Sequence, residues 1–326
     1  MKRYVKIVLS IVVMMALVVG LFGFVSISAA KAEKEYTFYI VSHGGPATPF
    51  WAVVMKGMRD AAERFGVKAI YAGPEKYSIA KLVDMLESAI AARPDGIAVT
   101  ITAVEPLDEP LRRAIKLGIP VIATNVKDPR PPEEAIPYLC YVGTDQYLMG
   151  VYAARRLLKE FTPTRAVVGI QEVGHIGLET RARGFTDVLK KKGIPVEKID
   201  ITPDIAKGVE IYRSYLVRHP DTDAIFGVTM ASAEVSVKLV EEEGLVGKVR
   251  LVNTDLSPTI IKAIKEDIMV SASEQQQYLQ GYLPILYLYL YNTIGLCPTG
   301  DILTGPSIVD KTNVEMVEKT VGEGYR

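Results

Sequence analysis

Past residue 35, hydrophobic and polar positions fall into short β-rich runs that alternate with amphipathic stretches of helical length. The runs 36–42, 67–72, 96–101, 120–124 and 138–143 read as strands, and 50–65, 79–92 and 107–117 between them as helices. A second series follows, with helix 146–160, strand 166–171, helix 179–192, strand 196–201, helix 208–219, strand 224–228, helix 233–243, strand 249–253, helix 259–266 and strand 269–273. Parallel strands need a long crossover between them, and a helix supplies it. The alternation therefore predicts an α/β fold with parallel sheets covered by helices on both faces.

The two series echo each other. Arg93-Pro94-Asp95-Gly96-Ile97 has its counterpart in His219-Pro220-Asp221 followed by Ala224-Ile225, each opening a strand after a helix. The run from Gly118 to Asn125 has its counterpart in the run from Gly247 to Asp255, in the same order and at similar separation. The chain is thus expected to form two similar lobes. A last helix, 278–294, follows the completed second series and is rich in Tyr and Leu, so it needs a surface to bury against, and the first lobe offers one. Several chain crossings between lobes make a hinge rather than a tether, and no Gly/Ser-rich or Pro-rich linker divides them.

The first 32 residues differ from the rest. Lys2, Arg3 and Lys6 precede an uninterrupted apolar run from Ile7 to Val25, and Ser28, Ala29, Ala30 and Ala32 close the segment. This order is that of a secretory signal, cleaved after Ala30 or Ala32, or of an uncleaved N-terminal anchor. Either places the remainder outside the cytoplasm. The 38 basic and 38 acidic residues balance, so no positive field exists to hold a nucleic acid. Cys140 and Cys297 are the only thiols. Their spacing suits no metal or thioredoxin-type site, and they are either one disulfide or two buried thiols.

In parallel α/β sheets ligands bind beyond the carboxyl ends of the strands. Those ends carry Ser42, His43, Asn125, the stretch from Glu172 to Glu179, Thr229 and Asp255. Any one of them could instead serve a cap or turn; the run Thr254-Asp255-Leu256-Ser257, for instance, could simply start a helix.

Several segments resemble the ribose-type periplasmic sugar-binding proteins: Tyr39-Ile40-Val41-Ser42, Pro49-Phe50-Trp51, Met55-Lys56-Gly57-Met58, Gly118 to Thr124, and Tyr141-Val142-Gly143-Thr144-Asp145. The resemblance continues through Arg181-Ala182-Arg183-Gly184-Phe185, Val252-Asn253-Thr254-Asp255 and Ser273 to Tyr282. It implies two Rossmann-like lobes joined by a three-crossover hinge, the periplasmic binding protein type 1 architecture. The first lobe is then expected at 33–144 plus 275–305, and the second at 145–274 plus 306–326. The implied function is capture of a monosaccharide (a pentose, hexose or related neutral polyol) and delivery to the permease of an ABC importer, by a monomer without cofactor or metal. The resemblance puts Phe50 and Trp51 against the sugar ring, and Arg181, Thr229, Asp255 and Gln275 on its hydroxyls.

One departure stands out. Where ribose-type members carry Asp-Arg after the fourth strand, this chain has Asn125-Val126, which argues against ribose itself. His43 and His175 either replace the missing donor or stand on surface loops. An enzyme is disfavoured, since no Gly-x-Gly-x-x-Gly, Walker-type or Gly-x-Ser-x-Gly motif occurs. A sugar-responsive repressor would need a DNA-binding head where the export segment stands. The alternative within the same fold is a sugar sensor that presents its ligand to a membrane chemoreceptor or sensor kinase.

Overall fold

The computed structural model describes Tyr4, residues 34–202 and residues 204–326. Apart from Tyr4, the expected export segment lies outside the described residues, and no described helix is long and apolar enough to cross a membrane. Tyr36–Arg326 forms one connected body.

Its first half runs β1 (Thr37–Val41), α1 (Pro49–Phe65), β2 (Lys68–Ala72), α2 (Ile79–Ala91), β3 (Gly96–Val99), α3 (Val104–Lys116), β4 (Val121–Asn125) and β5 (Tyr141–Thr144). The second half repeats this: α4 (Gln146–Glu160), β6 (Ala166–Ile170), α5 (Ile176–Lys190), β7 (Val196–Asp200), α6 (Ile205–Arg218), β8 (Ala224–Gly227), α7 (Met230–Glu242), β9 (Arg250–Thr254), α8 (Pro258–Lys265) and β10 (Met269–Glu274). The chain closes with α9 (Gln277–Ile294), β11 (Asp301–Gly305), β12 (Ser307–Asp310) and α10 (Val314–Gly322).

Two six-stranded sheets result, ordered β11-β5-β4-β3-β1-β2 and β12-β10-β9-β8-β6-β7. Every pairing is parallel except β10 with β12. The chain passes between the sheets after β5, after β10 and after β11. Central strands such as β6 (AVVGI) are buried along their whole length, as helices on both faces require. The repeats seen in the sequence fall on topologically equivalent strands, β3 with β8 and β4 with β9. Four helices begin one turn earlier than their apolar periodicity, at Val104, Ile176, Ile205 and Met230. In α5 and α7 that first turn borders the cleft, where Leu178 and Met230 both line the cavity and join the core. The strands β11 and β12 and helix α10 carried no sequence expectation.

The helices after the fifth and tenth strands trade places. α9 packs on α1 of the first lobe, and α4 on α5 of the second. Both contacts are glycine to glycine. A Cβ on Gly57 would lie 2.0 Å from the Tyr278 carbonyl oxygen, and one on Gly281 only 1.9 Å from that of Val54. A Cβ on Gly150 would meet the Arg181 carbonyl oxygen at 2.0 Å, and one on Gly184 that of Tyr147 at 2.1 Å. These glycines let backbones approach closer than any side chain permits.

Candidate functional site

A cavity of about 660 Å3 opens at the carboxyl ends of both sheets. His43, Phe50, Trp51 and Asn125 line it from the first half, and Arg181, Thr229, Asp255 and Gln275 from beyond β5. Of the sequence candidates only Ser42 stays outside. It is fully buried behind the wall, where its hydroxyl bonds the Gly44 carbonyl at 2.7 Å and pairs with the Tyr71 hydroxyl at 2.5 Å, bracing the turn that presents His43.

Phe50 and Trp51 occupy the first turn of α1, which begins with Pro49, a residue whose fixed φ suits a helix start. Their rings meet edge to face at 4.9 Å, and they pack on Val54 and Tyr71 while bounding the cavity. Asn125 and Asp255 end β4 and enter the loop after β9 with φ of 64° and 70°. That left-handed backbone is costly for most residues but tolerated by short Asn and Asp side chains. The cap of α8 is Ser257, which receives the Ile260 amide at 3.2 Å and leaves Asp255 free for the cleft. Thr229 both lines the cavity and caps α7 in a capping box with Ser232.

A chain of hydrogen bonds links the floor of the site. Arg181 Nε donates to Gln146 Oε1 at 2.5 Å, Gln146 Nε2 donates to the Asn125 carbonyl at 2.7 Å, and Asn125 Nδ2 donates to Gln280 Oε1 at 2.8 Å. Arg181 Nη1 donates to the Val228 carbonyl at 2.8 Å. The guanidinium is buried yet makes no ion pair within 4.0 Å among the described residues, so its charge is balanced only at longer range by Asp255 and Glu172. Burial pushes its pKa down and that of Asp255 up, with each opposing the shift in the other. Asp255 Oδ1 accepts from Gln275 Nε2 at 2.6 Å and Oδ2 from the Met230 amide at 3.3 Å. Gln275 Oε1 is buried without a partner. An acceptor left open in this way favours a ligand that brings a hydroxyl donor.

The two histidines are not on surface loops. Both are buried, and their Nε2 atoms stand 3.2 Å apart across the cleft. The tautomers follow from the neighbours. His175 caps α5, its Nδ1 accepting from the Gly177 and Leu178 amides at 3.1 and 3.3 Å, so its proton is on Nε2. His43 Nε2 must then accept, and its Nδ1 donates to Thr100 Oγ1 at 2.9 Å. The Ile176 amide donates to the Thr102 carbonyl at 3.1 Å beside this contact. Burial and the neighbouring Arg181 lower the pKa of His175 to about 3; burial and the facing His175 hold that of His43 well below its ordinary value.

Glu172 stands 4.0 Å from His175 Nε2, and among the described residues none donates a hydrogen bond to its carboxylate. Burial pushes its pKa up to about 7 against the pull of Arg181. Ligand atoms of His43, Glu172 and His175 lie within 4.8 Å of one another, a metal-like cluster. The chemistry does not fit. A metal-bound histidine normally donates its other ring N–H outward, whereas His175 Nδ1 already faces two amide donors. Tyr77 and Gln171 line the cavity although no sequence expectation named them, and so do Glu172 and His175 from the strand-end stretch. The strand-end position of the stretch from Glu172 to Glu179 was the available signal, but burial, which gives Glu172 its character, is a tertiary property.

Residues 38–292 match the family model described as a periplasmic binding protein domain. The xylose/arabinose-binding protein XylF of Sulfolobus acidocaldarius is 26% identical, over 82% of this chain and 69% of its own. A solved periplasmic sugar-binding protein of an ABC sugar transporter from Legionella pneumophila is 32% identical, with TM-score 0.78, covering 83% of this chain and all of that one. A carbohydrate transporter from Acidothermus cellulolyticus, solved in complex with myo-inositol, is 26% identical with TM-score 0.82, covering 90% of this chain and all of that one.

Proposed function

The chain belongs to the periplasmic binding protein domain family, and on that premise we propose that it captures a neutral monosaccharide or related polyol and hands it to an ABC-type importer. The observation that carries this is the pairing of a small aromatic wall with open hydrogen-bonding groups around one cavity. Phe50 and Trp51 offer flat apolar surface for the C–H face of a sugar ring, while Arg181, Asp255 and the unpartnered Gln275 Oε1 await hydroxyls. A hydroxyl both donates and accepts, so one polyol can satisfy Arg181 and Asp255 at once. Glu75, Glu172, Asp204 and Asp255 outnumber Lys76 and Arg181 around the cavity, which disfavours phosphorylated or carboxylated sugars.

In this reading the lobes span 33–144 plus 275–305 and 145–274 plus 306–326, and ligand bridging the two stabilises the closed form. The closed surfaces are then what a permease recognises. The basic, apolar and small-residue start of the chain supports placement outside the cytoplasm, with the protein acting as a monomer.

Trp51 is the only tryptophan, so its fluorescence reports on the site directly. Titration with pentoses, hexoses, polyols and nucleosides, with thermal shift in parallel, should give a saturable fluorescence change for at least one sugar and stabilise the protein. Silence of both signals across the panel would refute the sugar assignment.

A further inference from the structure

Cys140 and Cys297 stand apart from the cleft, and their Sγ atoms are 3.6 Å apart. We propose that they form a disulfide that staples the returning helix α9 to the first lobe. The sulfur separation exceeds a bonded pair by only about 1.5 Å, a gap that side-chain torsion can close.

Cys140 is buried just before β5, in the cluster that holds Phe38, Val142, Ile285 and Leu288. Cys297 packs against the same cluster, two residues past Gly295, the left-handed cap that ends α9. The bond would therefore tie the end of α9 to the start of the strand from which the chain first leaves for the other sheet. Helix α9 needs such a tie more than any other. It comes back to the first sheet only after the whole second series, and the two cysteines are 157 positions apart in the chain. Closing so long a loop removes much of the freedom of the unfolded chain.

The chemistry balances with a disulfide-bearing oxidant. The more exposed Cys297 attacks, as its thiolate, one sulfur of the oxidant and releases a thiol. Cys140 then loses its proton and attacks Cys297 in the mixed disulfide, releasing the second thiol. Two protein thiols are oxidised and one oxidant disulfide is reduced. Burial raises the pKa of both thiols, which slows each step and equally shields the finished bond from reductants. Neither cysteine lines the cavity, so the staple stabilises the fold without gating the ligand.

Oxidation in the cell rests on the extracytoplasmic placement proposed above, and two measurements keep the two ideas separable. Purified protein is equilibrated in glutathione buffers of secretory poise, acid-trapped, alkylated and digested. The expected result is an intramolecular Cys140–Cys297 peptide, a Tm about 5–10 °C above that of the reduced protein, and an unchanged sugar Kd. Cys297→Ser should melt like reduced wild type and ignore reductant. Thiols that stay free in these buffers, or only intermolecular dimers, overturn the proposal. The same trapping is applied to intact cells together with a protease-accessibility test. Free thiols on a protease-accessible chain overturn the proposal; a protected chain overturns the placement instead, and the buffer result decides the pair.

Discussion

If ligand draws the lobes together from a more open form, as proposed above, the proton equilibria of Glu172 and His43 are expected to move in opposite directions. In this structure Glu172 sits at about 7 instead of its ordinary 4.5, and His43 is held well below 6.5. A more open form is expected to return both toward their ordinary values. A carboxyl whose pKa is raised by closure makes the closed form bind more protons, so this group tightens binding as pH falls from 7 to 4.5. A histidine whose pKa is lowered makes the closed form bind fewer, so it weakens binding as pH falls below 6.5. The two effects oppose each other below pH 6.5. His175, lowered in this structure by burial and by Arg181, is common to wild type and both variants, so its contribution drops out of their ratios. Tyr77 and Arg181, the other titratable groups facing the pair, do not change charge in this range. Removing one partner exposes the other. Between pH 8 and pH 5, Glu172→Gln should lose about 70-fold in affinity relative to wild type, and His43→Gln should gain affinity relative to it. Taking ratios to wild type removes the contribution of Asp255, which all three proteins share. Calorimetric titration with the tightest-binding sugar, in buffers of different ionisation enthalpy, reads both the affinity and the proton count. If both variants stay within threefold of wild type across this range, closure does not move a proton between these groups.

Two substitutions probe the rest of the argument. Asp255→Asn keeps an acceptor for Gln275 but removes the charge offered to the sugar, so affinity should fall about 10- to 100-fold by fluorescence titration with Tm nearly unchanged; a loss under threefold would take Asp255 out of the site. Gly57→Ala forces a methyl to within 2.0 Å of the Tyr278 carbonyl and should lower Tm by about 3–8 °C. Gly322→Ala, with nothing within 4 Å, is the control, and equal melting of the two would refute the close helix contact.

The order of strands and helices as far as α9 could be read from the sequence because each buried element carries its own periodicity. The strands β11 and β12 were missed because they are short, flank Pro306 and expose alternate positions at sheet edges, so no apolar run marks them. Two of the four missed helix starts have a local reason: His175 is an unusual cap, and Ala103 caps α3 with no side-chain bond at all, whereas α6 and α7 start at the ordinary caps Asp204 and Thr229. Within the site, strand-end position nominated His43, Asn125, Thr229 and Asp255, whereas Phe50, Trp51, Arg181 and Gln275 were nominated through the family resemblance; all eight line the cavity. Ser42 was nominated by strand-end position too, yet its side chain points behind the wall toward Tyr71. The histidine pair and Glu172 owe their properties to the other lobe, and no spacing along the chain encodes that.

Asn125 and Asp255 are the same backbone device used twice, at the ends of equivalent strands and in the same left-handed conformation. Had both been aspartate, these two arms alone would match under a half-turn. One arm is instead an amide whose N–H2 already serves Gln280, and the other is an anion. That inequality gives the cleft a polarity. Two epimers that differ at one carbon present a donor to the anionic arm in different poses, so the inequality of the two arms is a handle on configuration at that carbon.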